Sequence, residues 1–374
     1  MNFDTHLCLV SAQATPNLIP AMDTATAPRR VVLAVSTDMK QRGEWLSLVM
    51  RRHRIQVEVL SVPNAYDFDG CWELFSNWLV AQPVEVALNV TGGTKVMAMA
   101  AQDVFREAGK PIFYVNVADD SLLRLDRGAQ PAVLPTKIKL REYLESHGYT
   151  VEGEVLRLEI TGEQRDFVNR LAYESGRLGS SLGRLNGLAQ QAKGSLVSQL
   201  DAKEGRALDE LLGMFSAAGW LSLAANKLAF PNEAARQFVN GGWLEFLVYQ
   251  SLANLASKFE FADYAIGLKV IAPDGKTRNE LDGAFLYRNT LHIIECKTAN
   301  LAASGKVEES SGTEALYKLD GLRDMGGLRT KALLVDYRGS LKDADKRRAA
   351  QMKLKVISGA QLRDLTGALK GWLA

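Results

Sequence analysis

Short apolar runs alternate with longer amphipathic stretches through the first 150 residues. The runs His6–Val10, Arg30–Val35, Gln56–Leu60, Val84–Val90 and Ile112–Val117 are rich in Val, Ile and Leu, as strands buried on both faces of a parallel sheet are. Between them, Asp38–Arg52, Asp67–Leu79 and Thr94–Glu107 have the length and spacing of crossover helices, with Asp38 and Asp67 placed to cap the first two. This rhythm predicts a doubly wound, Rossmann-like α/β unit with its ligand site beyond the carboxyl ends of the strands. From about Glu152 to Asn232 the rhythm stops. Small and charged residues dominate Gly162–Gly205, and the pattern predicts an exposed stretch of helical pieces broken at Gly176, Gly179, Gly183 and Gly187. Leu208–Ala218 reads as an amphipathic helix and Lys227–Phe230 as a short strand, the order of a small winged-helix module. Its helix has few of the basic and amide groups that a DNA-reading helix carries.

After Asn240-Gly241-Gly242 the pattern changes again. Trp243–Leu255 reads as a helix, Lys269–Ala272 as a strand, and Asn279–Tyr287 with Thr290–Lys297 as a hairpin turning at Arg288-Asn289. If those two are the turn residues, Tyr287 faces Thr290, and counting outwards sets Asp282 opposite Glu295. Paired residues share a sheet face, and Lys297, two positions beyond Glu295, shares it too. Further on, Thr313–Met325 and Asp343–Lys353 read as helices and Thr330–Asp336 as a strand.

A length of 374 residues suits two or three units of roughly 100–150 residues, expected at 1–150, 151–235 and 236–374. Charge excludes a globally basic coat: Lys and Arg number 45 against 43 Asp and Glu. Residues 1–150 carry 15 basic and 16 acidic groups and the rest 30 and 27, a local excess too slight to name a substrate. Three scattered cysteines, Cys8, Cys71 and Cys296, suggest no disulfide framework, and no apolar run suits a membrane span, so a reducing cytoplasm is the expected setting. Four histidines make a zinc site a poor expectation.

Two clusters carry chemistry. The loops after the first, second and fourth strands hold Ser11 and Gln13, Ser36, and Thr91-Gly92-Gly93-Thr94-Lys95. The paired glycines allow close backbone approach, and the free amides of the next helix start, with Thr94 and Lys95, suit a phosphate. The spacing is neither a Walker A loop nor the dinucleotide fingerprint, which disfavours ATP hydrolysis and a nicotinamide-dependent oxidoreductase. The second cluster is Asp282, Glu295 and Lys297, with Glu245 on the preceding helix. Carboxylates closing an apolar strand pair suit Mg²⁺ or Mn²⁺, and a lysine beside them suits charge developing on a phosphate. Cys296 points the other way and reads as packing. The bland alternative is a solvated strand end with a Glu295–Lys297 ion pair. Tyr317 and Lys318 are further residues for the cleft.

Asp282 followed by Glu295-Cys296-Lys297, with Glu245 upstream, resembles the divided motif of the PD-(D/E)xK nucleases, although Leu281 stands where that motif has proline. Together with Asn240–Glu245, Ser11, Gln13, Asn17 and Thr91–Lys95, the chain resembles a narrower group in which a CARF domain, the CRISPR-associated Rossmann fold, is fused to such a nuclease. The resemblance implies a homodimeric, cytoplasmic endonuclease of type III CRISPR antiviral defence. It implies a nuclease cutting DNA or RNA and activated by cyclic oligoadenylate, cyclic tetra-adenylate above all. Gly92, Gly93, Thr94, Lys95, Ser11, Gln13 and Ser36 would then hold the activator. Glu245, Asp282 and Glu295 would hold Mg²⁺ or Mn²⁺, and Lys297 would assist hydrolysis. The alternative is a CARF-type, ligand-responsive nucleic-acid-binding regulator with little cleavage.

Overall fold

The computed structural model describes residues 3–82, 85–117, 119–125, 129–155, 158–303 and 310–373. Its first sheet has five parallel strands, β1 (Thr5–Leu9), β2 (Arg30–Ser36), β3 (Gln56–Val62), β4 (Val86–Asn89) and β5 (Ile112–Asn116), in the order β3-β2-β1-β4-β5. Two antiparallel strands, β6 (Ser121–Arg124) and β7 (Ala132–Val133), extend it beyond β5. Helices α1 (Thr15–Met22), α2 (Lys40–Arg52), α3 (Phe68–Val80) and α4 (Lys95–Glu107) connect the parallel strands. Strand order reverses at β1, so the loops leaving β1 and β4 diverge and open a crevice.

Three local expectations are corrected. Strand β3 is largely exposed rather than buried on both faces, because it forms the sheet edge. Asp38 lies inside the 3-10 turn Thr37–Met39 and caps neither that turn nor α2, whereas Asp67 does accept a hydrogen bond from the Gly70 amide. The loop after β1 becomes helix at Thr15, with Pro16 in the first turn, where a missing N–H costs nothing.

Helix α5 (Leu140–Ser146) and strand β8 (Thr150–Val151) lead to the middle module of α6 (Gly162–Tyr173), α7 (Ser175–Gln191), β9 (Val197–Gln199), α8 (Ala202–Ala217), β10 (Ser222–Ala224) and β11 (Lys227–Ala229). The three short strands pair in the order β10-β11-β9, so a hairpin follows a helix as the sequence predicts. Helix α7, however, runs unbroken through Gly176, Gly179, Gly183 and Gly187. Each interior glycine costs about 1 kcal/mol relative to alanine, but burying Leu178, Leu182, Leu185 and Leu188 along one stripe returns about 1.5–3 kcal/mol per side chain. Arg338 lies across the glycine face, where a Cβ on Gly183 would come 2.8 Å from its Nη1.

The last unit begins with α9 (Glu233–Gln237) and α10 (Trp243–Phe259). A six-stranded sheet follows, built from β12 (Asp263–Ile271), β13 (Arg278–Tyr287), β14 (Thr290–Lys297), β15 (Lys331–Asp336), β16 (Lys355–Ser358) and the earlier β8, in the order β16-β15-β14-β13-β12-β8. Strands β12 to β14 are antiparallel and β14 to β16 parallel. Helices α11 (Ser311–Arg323), α12 (Asp343–Gln351) and α13 (Leu365–Leu373) cover its faces. The hairpin turns at Arg288 and Asn289, with φ of 48° and 47°, and Tyr287 pairs with Thr290 as the register arithmetic requires.

Each sheet has buried clusters of its own, and one further cluster joins the two. This joining cluster of buried side chains runs from Cys8, Val10 and Leu33, through Ala14, Leu18 of α1 and Tyr143 of α5, to Leu291, Ile293, Leu316 and Leu319. Among the described residues, no helix is long and apolar enough to cross a membrane.

Three histidines are sealed in these cores. Burial pushes His6 and His147 down to about 4 and His292, stacked on Phe285 at 4.6 Å, down to about 3. Unfolded, each takes up a proton near pH 6.5, so the unfolded state binds more protons between there and the lowered values. Stability therefore falls as pH drops below about 6.5, by up to about 1.4 kcal/mol per pH unit for each histidine. Denaturant unfolding at pH 7 and pH 5 should show the decline, and His292→Leu should make it shallower.

Candidate active site and ligand pocket

The end of β14 brings the predicted acid–lysine cluster together. Gly283 and Ile294 are the last paired residues on this side of the hairpin, and Asp282 and Glu295 follow one step beyond. There Asp282 Oδ2 accepts a 2.7 Å hydrogen bond from the Cys296 amide. Glu295 is fully buried, with Oε1 accepting from Lys297 Nζ at 2.5 Å and from Lys318 Nζ at 2.8 Å. Its other oxygen, Oε2, has no hydrogen-bond partner among the described residues. The Glu295–Lys297 ion pair of the bland reading thus exists, but its carboxylate is buried while both lysines stay partly exposed.

Glu245 arrives by a different route. Gly241, at φ 118°, makes a sharp turn before α10, and a Cβ there would stand 2.5 Å from Thr298 Oγ1. This contact sets the start of α10 beside the residue that follows Lys297. One turn later Val248 packs over Gly283, where a Cβ would meet Val248 Cγ1 at 3.3 Å. Glu245 therefore falls on the acidic strand end, and the electrostatics register it. Burial first, then the charges of Asp282 and Glu280, push its carboxyl up to about 8. Burial and Glu295 push Asp282 up to about 6. Burial works against the Lys297 ammonium, but Glu295 and Asp282 outweigh it and hold its pKa above the ordinary value. Cys296 packs on the opposite face, and burial followed by the Asp282 charge raises its thiol well above the reactive range. Lys318 comes from α11, whereas half-exposed Tyr317 lies under the Arg348 guanidinium. Arg348 itself is tied to Thr313 and Asp345.

The second site is a cavity of about 230 Å³ at the carboxyl ends of the first sheet. Ser11, Ser36, Gly93 and Thr94 line it, joined by Ala12, Asp38, Met39 and Tyr66. Gly92 lies beneath, where a Cβ would come 2.1 Å from the Leu9 carbonyl oxygen, so a side chain there would force β1 and β4 apart. The Thr94 hydroxyl is already committed, donating to Ala65 O and accepting from the Met97 amide as the cap of α4. Lys95 is exposed in the first turn of α4 and is not among the residues lining the cavity. Gln13 turns out of the cavity and packs on Gly327. Buried Asn17 and Asn89 bond to each other and to backbone, pinning the floor.

A model of the Card1 CARF domain matches residues 5–143, and one of the Card1-like endonuclease domain matches residues 232–374. The chain joins a CARF domain to a Card1-like endonuclease. It is also similar along almost its full length to two solved proteins. Protein VC1899 from Vibrio cholerae is 28% identical, with 98% of this chain and 97% of that one covered and a TM-score of 0.89. Can2 from Sulfobacillus thermosulfidooxidans, solved with cyclic tetra-adenylate, is 28% identical over 99% and 97% at a TM-score of 0.80. A type III CRISPR defence DNA nuclease activated by cyclic oligoadenylate shares the fold at 21% identity, with 88% of this chain and 45% of that one covered and a TM-score of 0.55. No curated protein sequence matches.

In the CARF domain, the loop after β3 supplies Ala65 and Tyr66, which sequence reasoning passed over; the carboxyl end of a strand at Asn64–Tyr66 was the available signal. In the endonuclease domain, the tie from Lys318 to Glu295 depends on how α11 lies across β14, which no local pattern encodes. Three hard-oxygen carboxylates, two held above their ordinary acidity range, and an unpartnered Glu295 oxygen fit Mg²⁺ or Mn²⁺ in donor type. Among the described residues, however, no three acidic, histidine or cysteine side chains already stand in metal-holding geometry. Both lysines bond the same Glu295 oxygen, Oε1, and leave Oε2 without a partner among the described residues.

A carboxyl raised to about 8 leaves stability intact below its unfolded value and costs increasingly more as pH rises through neutrality. Glu245→Gln should therefore raise the metal-free Tm at pH 7.5 by about 2–4 °C, and differential scanning calorimetry in chelator should show it. An unchanged or lowered Tm would contradict the electrostatic reading.

Proposed function

We propose that the chain is a divalent-metal-dependent endonuclease hydrolysing phosphodiester bonds in DNA or RNA, switched on by cyclic oligoadenylate. Residues near 1–150 sense, 236–374 cut and 151–235 link. The observation that carries the reading is Glu295, a fully buried carboxylate with one oxygen unpartnered and two lysines on the other. A buried acid of this kind costs stability unless it serves a charged partner. Its company of Asp282, Glu245 and Lys297 is the set that phosphodiester hydrolysis needs.

A Mg²⁺ or Mn²⁺ ion held by Asp282, Glu295 and Glu245 would polarise the phosphodiester and acidify a bound water. The chain's own groups divide the remaining work. Glu245, at about 8, would give up its proton as the site filled, and Asp282 would do so only in more acid solution, which would make binding pH-dependent. Lys297, kept cationic by its two carboxylate neighbours, faces the charge that grows on the phosphate oxygens. Cys296 packs the opposite face and takes no part.

At the other site, Ser11, Ser36, Gly93 and Thr94 line a crevice where amides and small side chains suit a phosphodiester backbone, and Gly92 beneath them keeps it open. Tyr66, largely exposed on the rim, offers a face for an adenine. Lys95 adds positive charge nearby. The likeness to Can2 solved with cyclic tetra-adenylate supports that ring as activator. A four-fold ring bridging two such crevices calls for a homodimer. The protein works in the cytoplasm.

The lysine ties on Glu295 favour one competing reading, a ligand-responsive nucleic-acid-binding regulator that does not cut. Cleavage of DNA and RNA panels with Mn²⁺, with and without cyclic tetra-adenylate, separates the two. Activator-dependent cleavage is expected, and Glu295→Gln should lower it at least about 100-fold while leaving activator affinity unchanged. Gly92→Val should abolish activator binding instead. Binding without cleavage under any metal or substrate would establish the regulator.

A further inference from the structure

Gln13, in the pocket loop, packs against the endonuclease domain. It follows Ser11 and Ala12, both on the cavity wall, and Arg42 Nη1 holds the Ala12 carbonyl at 3.1 Å. Its amide lies flat on Gly327, where a Cβ would stand 2.5 Å from Nε2 and 3.3 Å from Cδ. Although buried, Nε2 has no hydrogen-bond partner among the described residues, so packing rather than bonding fixes the contact.

The turn beneath Gln13 is built tightly. Gly327 has φ of 75°, and a Cβ on Gly326 would come 2.3 Å from Thr330 Oγ1 and 2.8 Å from Leu291 Cδ2. Tyr143 Oη donates to the Gly326 carbonyl at 2.8 Å. Two elements that lead to Glu295 meet this turn, its own strand β14 and the helix α11 that carries Lys318. Leu291 lies on β14 four residues before Glu295, on the same strand face. Lys318 lies on α11, which ends at Arg323 and runs straight into the turn Asp324–Gly326. Ala14 and Leu18 on the pocket side share one buried cluster with Leu316, Leu319 and Met325 on the endonuclease side. Close-packed interiors transmit displacement instead of absorbing it.

We propose that Gln13 couples the ligand pocket to the nuclease: ligand-driven movement of the 11–14 loop shifts the Gly326–Gly327 turn, and with it β14 at Leu291 and helix α11, which brings Lys318 to Glu295. This coupling rests on the proposed cyclic-oligoadenylate control. Contiguity of packing is its warrant, and coupling is what must be measured.

The test uses the full chain with cyclic tetra-adenylate and Mn²⁺. Wild-type protein should show activated cleavage together with changed deuterium uptake in a peptide spanning Gly326–Thr330. Gln13→Ala should bind the activator within about threefold of wild type, lose that change in uptake, and lose at least about tenfold of the stimulation. Stimulation and uptake matching wild type would overturn the coupling role. Loss of activator binding would also overturn it, making Gln13 a pocket residue. If wild-type protein itself is not stimulated, the control reading fails, and the coupling falls with it.

Discussion

Burial of Glu295 at the end of β14 is the constraint around which the rest of the chain is arranged. A carboxylate sealed at that depth is tolerated only with charged company, and Lys297 and Lys318 supply it on one oxygen. The other oxygen is left over. Asp282 crowds the same end because it lies one step beyond the last hairpin pair, Gly283 and Ile294, as Glu295 does, and Glu245 joins because Gly241 and Gly283 let α10 come close. Burial first, and then the like charges gathered there, raise two of the three carboxyls, so the site is electrostatically strained as it stands. That strain lies where chemistry on a phosphate would draw upon it.

The same buried cluster that carries β14 also carries the first sheet's α1 and α5. A two-domain protein with a thin polar interface would let its halves move independently. Here the crevice at the carboxyl ends of the first sheet and the acidic end of the second are joined through packed side chains. Tyr143 and the Gly326–Gly327 turn stand between them. Ligand control of the nuclease therefore asks for no new interface, only for two arrangements of an existing one.

What the sequence made legible was local. The hairpin register followed from two turn residues, and the faces of Asp282, Glu295 and Lys297 followed from strand periodicity. The parallel rhythm of the first sheet, and the crevice loops after β1, β2 and β4, came from apolar spacing, whereas the loop after β3 did not. Other features depended on distant parts of the chain. Four glycines argued for a broken segment, yet a leucine stripe and Arg338 hold α7 in one piece. Gln13 looked like a pocket residue because its neighbours are, and only the position of Gly327 reveals where its amide goes. Lys318 reaches Glu295 because of how α11 crosses the sheet. Asp38 failed as a cap because a 3-10 turn intervenes before α2.

The most direct test of this account is a calorimetric titration of Mn²⁺ into the full chain without substrate, in the presence and absence of cyclic tetra-adenylate. If the buried carboxylate is the metal's ligand and the pocket governs its freedom, Mn²⁺ binds through Glu295, and the activator tightens that binding by reciprocal linkage. The account therefore predicts a heat signal that strengthens with the activator and disappears in Glu295→Gln. Mn²⁺ binding that is unchanged by both the activator and that substitution would contradict it.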